Sequence, residues 1–197
     1  MKIAVFAGHG GSDPGAVDSI ELEENDGIYQ DEIYSEESDI NLEAALILQS
    51  MLEEKGHKVI MARTEDIYVN LYERVEMANK NNADIVISLH ANAASTPSAS
   101  GIETFYYSSP TYTSKKGKQL ARLIQRELID VTDTLDRSIK GRENLWVLRK
   151  TDMPAVLIEM GFITNLREEK LLNEREYLYL LMEAVAEGVE DYLKESS

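Results

Sequence analysis

The amino-acid sequence predicts an α/β fold: a single domain built on a twisted, mostly parallel sheet of about six strands flanked by helices. Three observations carry this. Apolar runs without polar alternation recur at Ile3–Phe6, Ile85–Leu89 and Ala155–Ile158. Such runs read as strands buried on both faces, as in parallel sheets. Segments with helical spacing lie between them, and a 197-residue chain with 43% hydrophobic residues supplies one sizeable core.

Taken in order, Lys2–Ala7 is the first strand. Gly8 to Gly15 is a loop by its glycine and proline content. The acidic segment after it, to about Ser38, has scattered apolar residues and reads as an excursion that shapes access. Ser38 or Asp39 is expected to cap the next helix, whose stripe of Leu42, Ala45, Leu46, Leu48 and Leu52 ends at Gly56. Lys58–Ala62 is a second strand, Asn70–Asn79 an amphipathic helix and Asp84–Leu89 a third strand. Gly101–Tyr107 alternates as a strand, and Ser114–Asp130 is helical. Leu145–Leu148 and Ala155–Ile158 are expected as two further strands. Arg167–Leu193 closes the chain as helix. Residues 1–197 contain no repeat, no low-complexity linker and no recognisable wall-binding module.

Composition narrows the function. With no cysteine, neither a disulfide framework nor a zinc–thiolate site is possible. A formal net charge of −16 argues against nucleic acid and anionic membranes as partners. No apolar stretch approaches the length of a membrane span. The first strand is too short in its apolar part to serve as a secretory signal.

The chemistry-bearing residues follow strands. His9 stands just past the first strand and His90 just past the third, where the chemistry of open α/β sheets resides. Two imidazoles so placed suggest a metal pair, and a catalytic zinc site needs a third protein ligand. Without cysteine that ligand is a carboxylate, and spacing does not decide among Glu36, Glu37 and Asp39. Glu159 ends an apolar strand, where a carboxylate is rarely buried without a partner. Ligand, general base and ion-paired structural residue are all open for it. His57, in a helix–strand turn, is expected at the surface.

Five stretches in register resemble the zinc-dependent N-acetylmuramoyl-L-alanine amidases of the amidase-3 family. They are Ala7–Ala16 (AGHGGSDPGA), Glu37–Leu42 (ESDINL), Leu71–Asn79 (LYERVEMAN), Ile87–Ala93 (ISLHANA) with Gly101–Thr104 behind it, and Val147–Asn165. The resemblance runs to about Leu172. It implies zinc on His9, Glu37 and His90, with Glu37 chosen because it stands four residues before Asn41 in a Glu-x-x-x-Asn-Leu spacing. Glu36 is the fallback. It implies Glu159 as the catalytic glutamate and peptidoglycan as the substrate, cut between N-acetylmuramic acid and L-alanine. Asn92 is a weaker candidate for contact with substrate or the ligand shell. Arg74 is expected to brace its helix, while Thr151 and Asn165 receive no role. Phe6-Ala7 departs from the Asp-Pro common in the family. Some cell-division members carry an inserted blocking helix, for which Glu21, Glu23 and Glu24 would be the residues reaching zinc. An ordinary loop is the expectation here.

The competing readings are a zinc peptidase acting on the stem peptide, and a binding-only or partner-regulated relative. The chain lacks the His-Glu-x-x-His helix of zincins. Its start implies synthesis in the cytoplasm and action on the wall after phage- or lysis-dependent release, or else an excised domain of an exported protein. The negative charge is expected to repel teichoic-acid-rich walls. Clearing of such walls should therefore speed up with added salt or divalent cation. A turbidity assay across ionic strength checks this, and a steady fall with salt would contradict it.

Overall fold

A computed structural model describes residues 1–18 and 34–196. The glutamates considered for inhibition, Glu21, Glu23 and Glu24, lie outside the described residues. Six strands form one sheet: β1 (Lys2–Ala7), β2 (Lys58–Met61), β3 (Ile85–Asn92), β4 (Ile102–Tyr107), β5 (Asp136–Arg142) and β6 (Ala155–Phe162). Their order is β2-β1-β3-β6-β4-β5. All neighbours are parallel except β4 and β6, so the sheet is mixed but mostly parallel.

The alternation of buried side chains divides the core into two layers. Ile3, Val5, Ile87, Leu89, Val156 and Ile158 face the larger layer. There they meet α1 (Glu37–Glu54), α3 (Lys115–Asp130) and α6 (Arg175–Ser196), which bring Leu48, Leu52, Leu120, Ile124, Leu181 and Val185. Ala4, Phe6, Val86, Phe105 and Leu157 face the smaller layer, with Val75, Ala78, Val147 and Leu148. Those come from two short helices, α2 (Leu71–Lys80) and α4 (Trp146–Lys150). The remaining helix, α5 (Leu166–Leu172), follows β6. Its buried Glu168 accepts hydrogen bonds from the backbone N–H groups of Gly101 and Phe162, tying the start of β4 to the end of β6. Among the described residues, no helix is long and apolar enough to cross a membrane.

β1 sits between β2 and β3, and the helices leaving β1 and β2 cover opposite faces. The crevice beyond the carboxyl ends of β1 and β3 is thus a topological switch point, where open α/β sheets place their ligands.

Four expectations need correction. Leu145–Leu148 is not a strand: Trp146 opens α4, and burial of the adjacent Val147 and Leu148 against the small layer overrides the β preference of Trp and Val. The fifth strand is instead β5, a polar edge strand whose sequence DRSIKGR has one apolar residue. Ser38 and Asp39 do not cap α1. The helix starts at Glu37, and the carbonyls of Ala16 and Pro14 take the N–H groups of Glu37 and Ser38, so a neighbouring loop does the capping. The closing helix is broken in two at Asn173 and Glu174. Two strands also run further than expected, so that His90 and Glu159 stand inside β3 and β6. Asn70 and Ser114, read from sequence as helical, stand instead just before α2 and α3 and cap them, accepting from Glu73 N–H and Gly117 N–H.

Candidate metal centre

The chain turns sharply after β1. His9 adopts φ 57°, in the left-handed region that costs a side-chain-bearing residue energy. Two buried arginines hold it there. Arg74 donates to the carbonyls of Ala7 and His9 and, at 2.8 Å, to that of Val69. Arg63 donates to the carbonyls of Gly8 at 3.0 Å and Ser38 at 2.7 Å. Arg74 thus braces the loop that carries His9, beyond its own helix.

His9, Glu37 and His90 converge, with one potential ligand atom from each lying within 4.8 Å of the others. Glu37 Oε2 is 3.3 Å from His9 Nε2, and Glu37 Oε1 is 2.9 Å from His90 Nδ1. The far side of each ring is also engaged. His9 Nδ1 is 2.9 Å from Asp13 Oδ2, and His90 Nε2 is 3.2 Å from Ser88 Oγ. Carboxylate and hydroxyl partners of this kind fix tautomer and orientation in metal-binding histidines. Glu36 and Asp39 stay outside the cluster. Glu36 is held by the Tyr34 hydroxyl, and Asp39 is exposed.

Two glycines make the space. A Cβ on Gly8 would come within 2.4 Å of His90 Cε1, and one on Gly15 within 2.6 Å of Glu37 Oε2 and 2.7 Å of His9 Cδ2. Only glycine lets the backbone approach the three donors this closely. The donor set of two imidazoles and a carboxylate, with both rings oriented from behind, fits a divalent metal such as zinc.

Charge follows from the geometry. The hydrogen bond to Glu37 raises His9 to about 9 against the effect of burial, with Asp13 adding to it. Burial pushes Glu37 up, but the hydrogen bonds and positive charge of His9 and His90 outweigh it and hold the carboxyl well below the usual range.

Glu159 stands in register with His90 on one side and Glu103 on the other. Its Oε2 is buried without a hydrogen-bond partner. Burial raises its carboxyl to about 7; His90 opposes this, while Glu37 and Glu103 add to it. Glu103, given no role from sequence, is buried between Lys140 and Arg137 and accepts from Asn92 Nδ2 at 3.0 Å. Asn92 therefore spends its amide on Glu103. Its place in a family stretch was the only signal for Glu103. His57 is not a surface residue: its Nε2 is 2.6 Å from Glu190 Oε1, and its side chain is 8% exposed. Thr151 donates to the Val147 carbonyl, and Asn165 caps α5.

The amidase-3 family model, described as N-acetylmuramoyl-L-alanine amidase, matches residues 3–191. The chain belongs to this family. As an amidase-3 chain it is 34% identical to the uncharacterized protein YqiI of Bacillus subtilis, over 96% of this chain and 84% of that protein. It is 31% identical to the N-acetylmuramoyl-L-alanine amidase LytC of Bacillus subtilis, over 98% of this chain but 35% of LytC. It thus spans about a third of that relative's length. The N-acetylmuramoyl-L-alanine amidase of Clostridium difficile superposes with a TM-score of 0.87 at 32% identity, covering 100% of this chain and 98% of that one. The CwlD amidase of Clostridioides difficile, solved in complex with the GerS lipoprotein, gives a TM-score of 0.86 at 32% identity, with 98% of each chain covered.

Two predictions follow from this amidase-3 site. Gly8→Ala should displace the His90 ring and weaken zinc binding about 10–100-fold, read by competition with a chromophoric chelator. With His9 raised to about 9 in the metal-free protein, zinc bound at its imidazole would displace a proton. Apparent affinity should therefore climb with pH, about tenfold per unit for one proton, and level off above about pH 9. Titrations in buffers of different ionisation enthalpy will count the proton released at pH 7.5, expected to be about one.

Proposed function

We propose that this chain is a zinc-dependent amidase that hydrolyses the bond between N-acetylmuramic acid and L-alanine in peptidoglycan. The observation that carries the reading is Glu159. Its buried, unpartnered oxygen stands in register with His90, one strand from the three donors. A structural carboxylate would have a partner there; Glu103, on the adjoining strand, has several.

His9, Glu37 and His90 would hold zinc, with Asp13 and Ser88 steadying the rings. Bound zinc supplies Lewis acidity to the scissile carbonyl and acidifies water. Glu159 takes the proton of the attacking water at its free oxygen. It then returns that proton to the departing nitrogen of L-alanine, leaving a free carboxyl on the lactyl group. A carboxyl raised to about 7 suits both directions of transfer near neutral pH. Asn92, bound to Glu103, enters as part of the wall beside Glu159. One sheet with a core on each face supports reading the described residues as one catalytic domain that acts on the wall polymer.

Digestion of purified peptidoglycan should free stem peptides that begin with L-alanine, identified by mass. Release should stop with a chelator and return with zinc. Cuts inside the peptide would instead make the same centre a peptidase, and no release would indicate a binding-only relative. Glu159→Gln should keep zinc and lower kcat by about 10²–10⁴-fold. Full activity of the zinc-loaded variant would remove Glu159 from the mechanism.

A further inference from the structure

Beside the three donors, on the sheet face that carries α2 and α4, lies a cleft of about 380 Å³. Its size is at the lower end of small-ligand pockets, about 300–1,000 Å³. His9 and His90 line it together with Tyr68, Leu71 and Trp146. These last three are 56%, 55% and 41% exposed. Large apolar side chains grouped at the mouth of a cleft mark a binding surface. The fold does not need them there. α2 and α4 are anchored by Val75, Ala78, Val147 and Leu148, whereas Leu71 and Trp146 are the first residues of their helices. Lys150 Nζ lies 5.2 Å from the centroid of the Trp146 ring and steadies it.

The polar groups of the cleft are neutral or already engaged. Asp13 is tied to His9, and Arg74 is spent on backbone carbonyls. Asn70 uses its oxygen to cap α2, and its amide N–H groups have no partner among the described residues. Asn144 makes no side-chain hydrogen bond among the described residues. Aromatic plates with neutral amide donors, and no unengaged charge among the lining side chains, suit a ring with apolar C–H faces and hydroxyl or acetamido edges. They do not suit a peptide that ends in a carboxylate.

We propose that this cleft is the glycan subsite: Trp146 and Tyr68 pack against an N-acetylated pyranose on the acyl side of the scissile amide, and the stem peptide lies outside it. This rests on the amidase reading and adds to it an orientation of the substrate.

Trp146 is the only tryptophan in the chain, so intrinsic emission reports on this cleft directly. Titration with a peptide-free oligosaccharide of alternating N-acetylglucosamine and N-acetylmuramic acid should give a saturable change. A synthetic stem peptide starting with L-alanine should give none at the same concentrations. Tyr68→Ala should weaken the oligosaccharide titration about tenfold. Trp146→Ala, checked for an unchanged circular dichroism spectrum, should raise KM on glycan-bearing substrate about tenfold and leave kcat within about twofold. A response to the peptide in place of the oligosaccharide, or an unchanged KM in Trp146→Ala, would overturn the subsite. The two readings fail separately. Normal release of L-alanine peptides with no oligosaccharide response removes the subsite and keeps the amidase. A saturable oligosaccharide response in a protein that releases nothing keeps the subsite and removes the amidase.

Discussion

The site depends on one buried carboxylate. Glu37 is 5% exposed, and a charge so placed is tolerated only when its oxygens are fully engaged. Ala16 N–H donates to one oxygen at 2.9 Å, and Ala91 N–H and Asn41 Nδ2 donate to the other, each at 3.3 Å. The two imidazoles complete the set. Those donors come from the loop after β1, from α1 and from β3, so satisfying Glu37 forces three separate pieces of chain into contact. The first turn of α1 helps, because a helix N-terminus favours negative charge. A single electrostatic requirement therefore fixes where the loop docks, where α1 begins and how far β3 continues before it bulges after His90.

Adjoining strands carry two glutamates under opposite conditions. β4 runs against β6, so Glu103, near the start of its strand, lies level with Glu159 near the end of its own. In an all-parallel sheet the residue at that level would come from a strand's carboxyl end. Glu103 is surrounded by Lys140, Arg137 and Asn92, whereas Glu159 keeps an oxygen bare. The paired acid adds to the rise of its neighbour's carboxyl, whose first cause is burial. The same residue type is thus fully paired in one strand and, in the proposed reaction, carries the proton in the next.

The sequence made the buried elements legible because burial on both faces leaves a plain signature: unbroken apolar runs for β1, β3 and β6. His9, His90 and Glu159 were visible by contrast with those runs. Glu37 was visible only through resemblance, since Glu36, Glu37 and Asp39 are equivalent acids in a helix-start pattern. What separates them is which side chain the loop at Ala16 can reach. Elements held by tertiary context were misread. β5 is an edge strand without an apolar run, and α4 is a five-residue helix whose Trp-Val-Leu composition favours a strand. Boundaries erred for a related reason. β3 ends in His90-Ala91-Asn92 and β6 continues past Glu159 through Gly161, so each apolar run is interrupted before its strand stops.

His9 occupies a backbone conformation that its own side chain disfavours, and Arg63 and Arg74 hold it there without any acid in their hydrogen bonds. The three donors are therefore not a portable motif. Copied onto another scaffold at matching positions, a histidine, a glutamate and a second histidine would lack the two guanidiniums that hold the turn. They would also lack the glycines at 8 and 15 that let the rings close in. The transferable unit is a neighbourhood drawn from β1, the loop behind it, the start of α1, the segment from Arg63 to Arg74 and the end of β3. With Glu159 on β6 needed beside them in the proposed reaction, the smallest piece of this protein that could inherit its chemistry draws on three of the six strands.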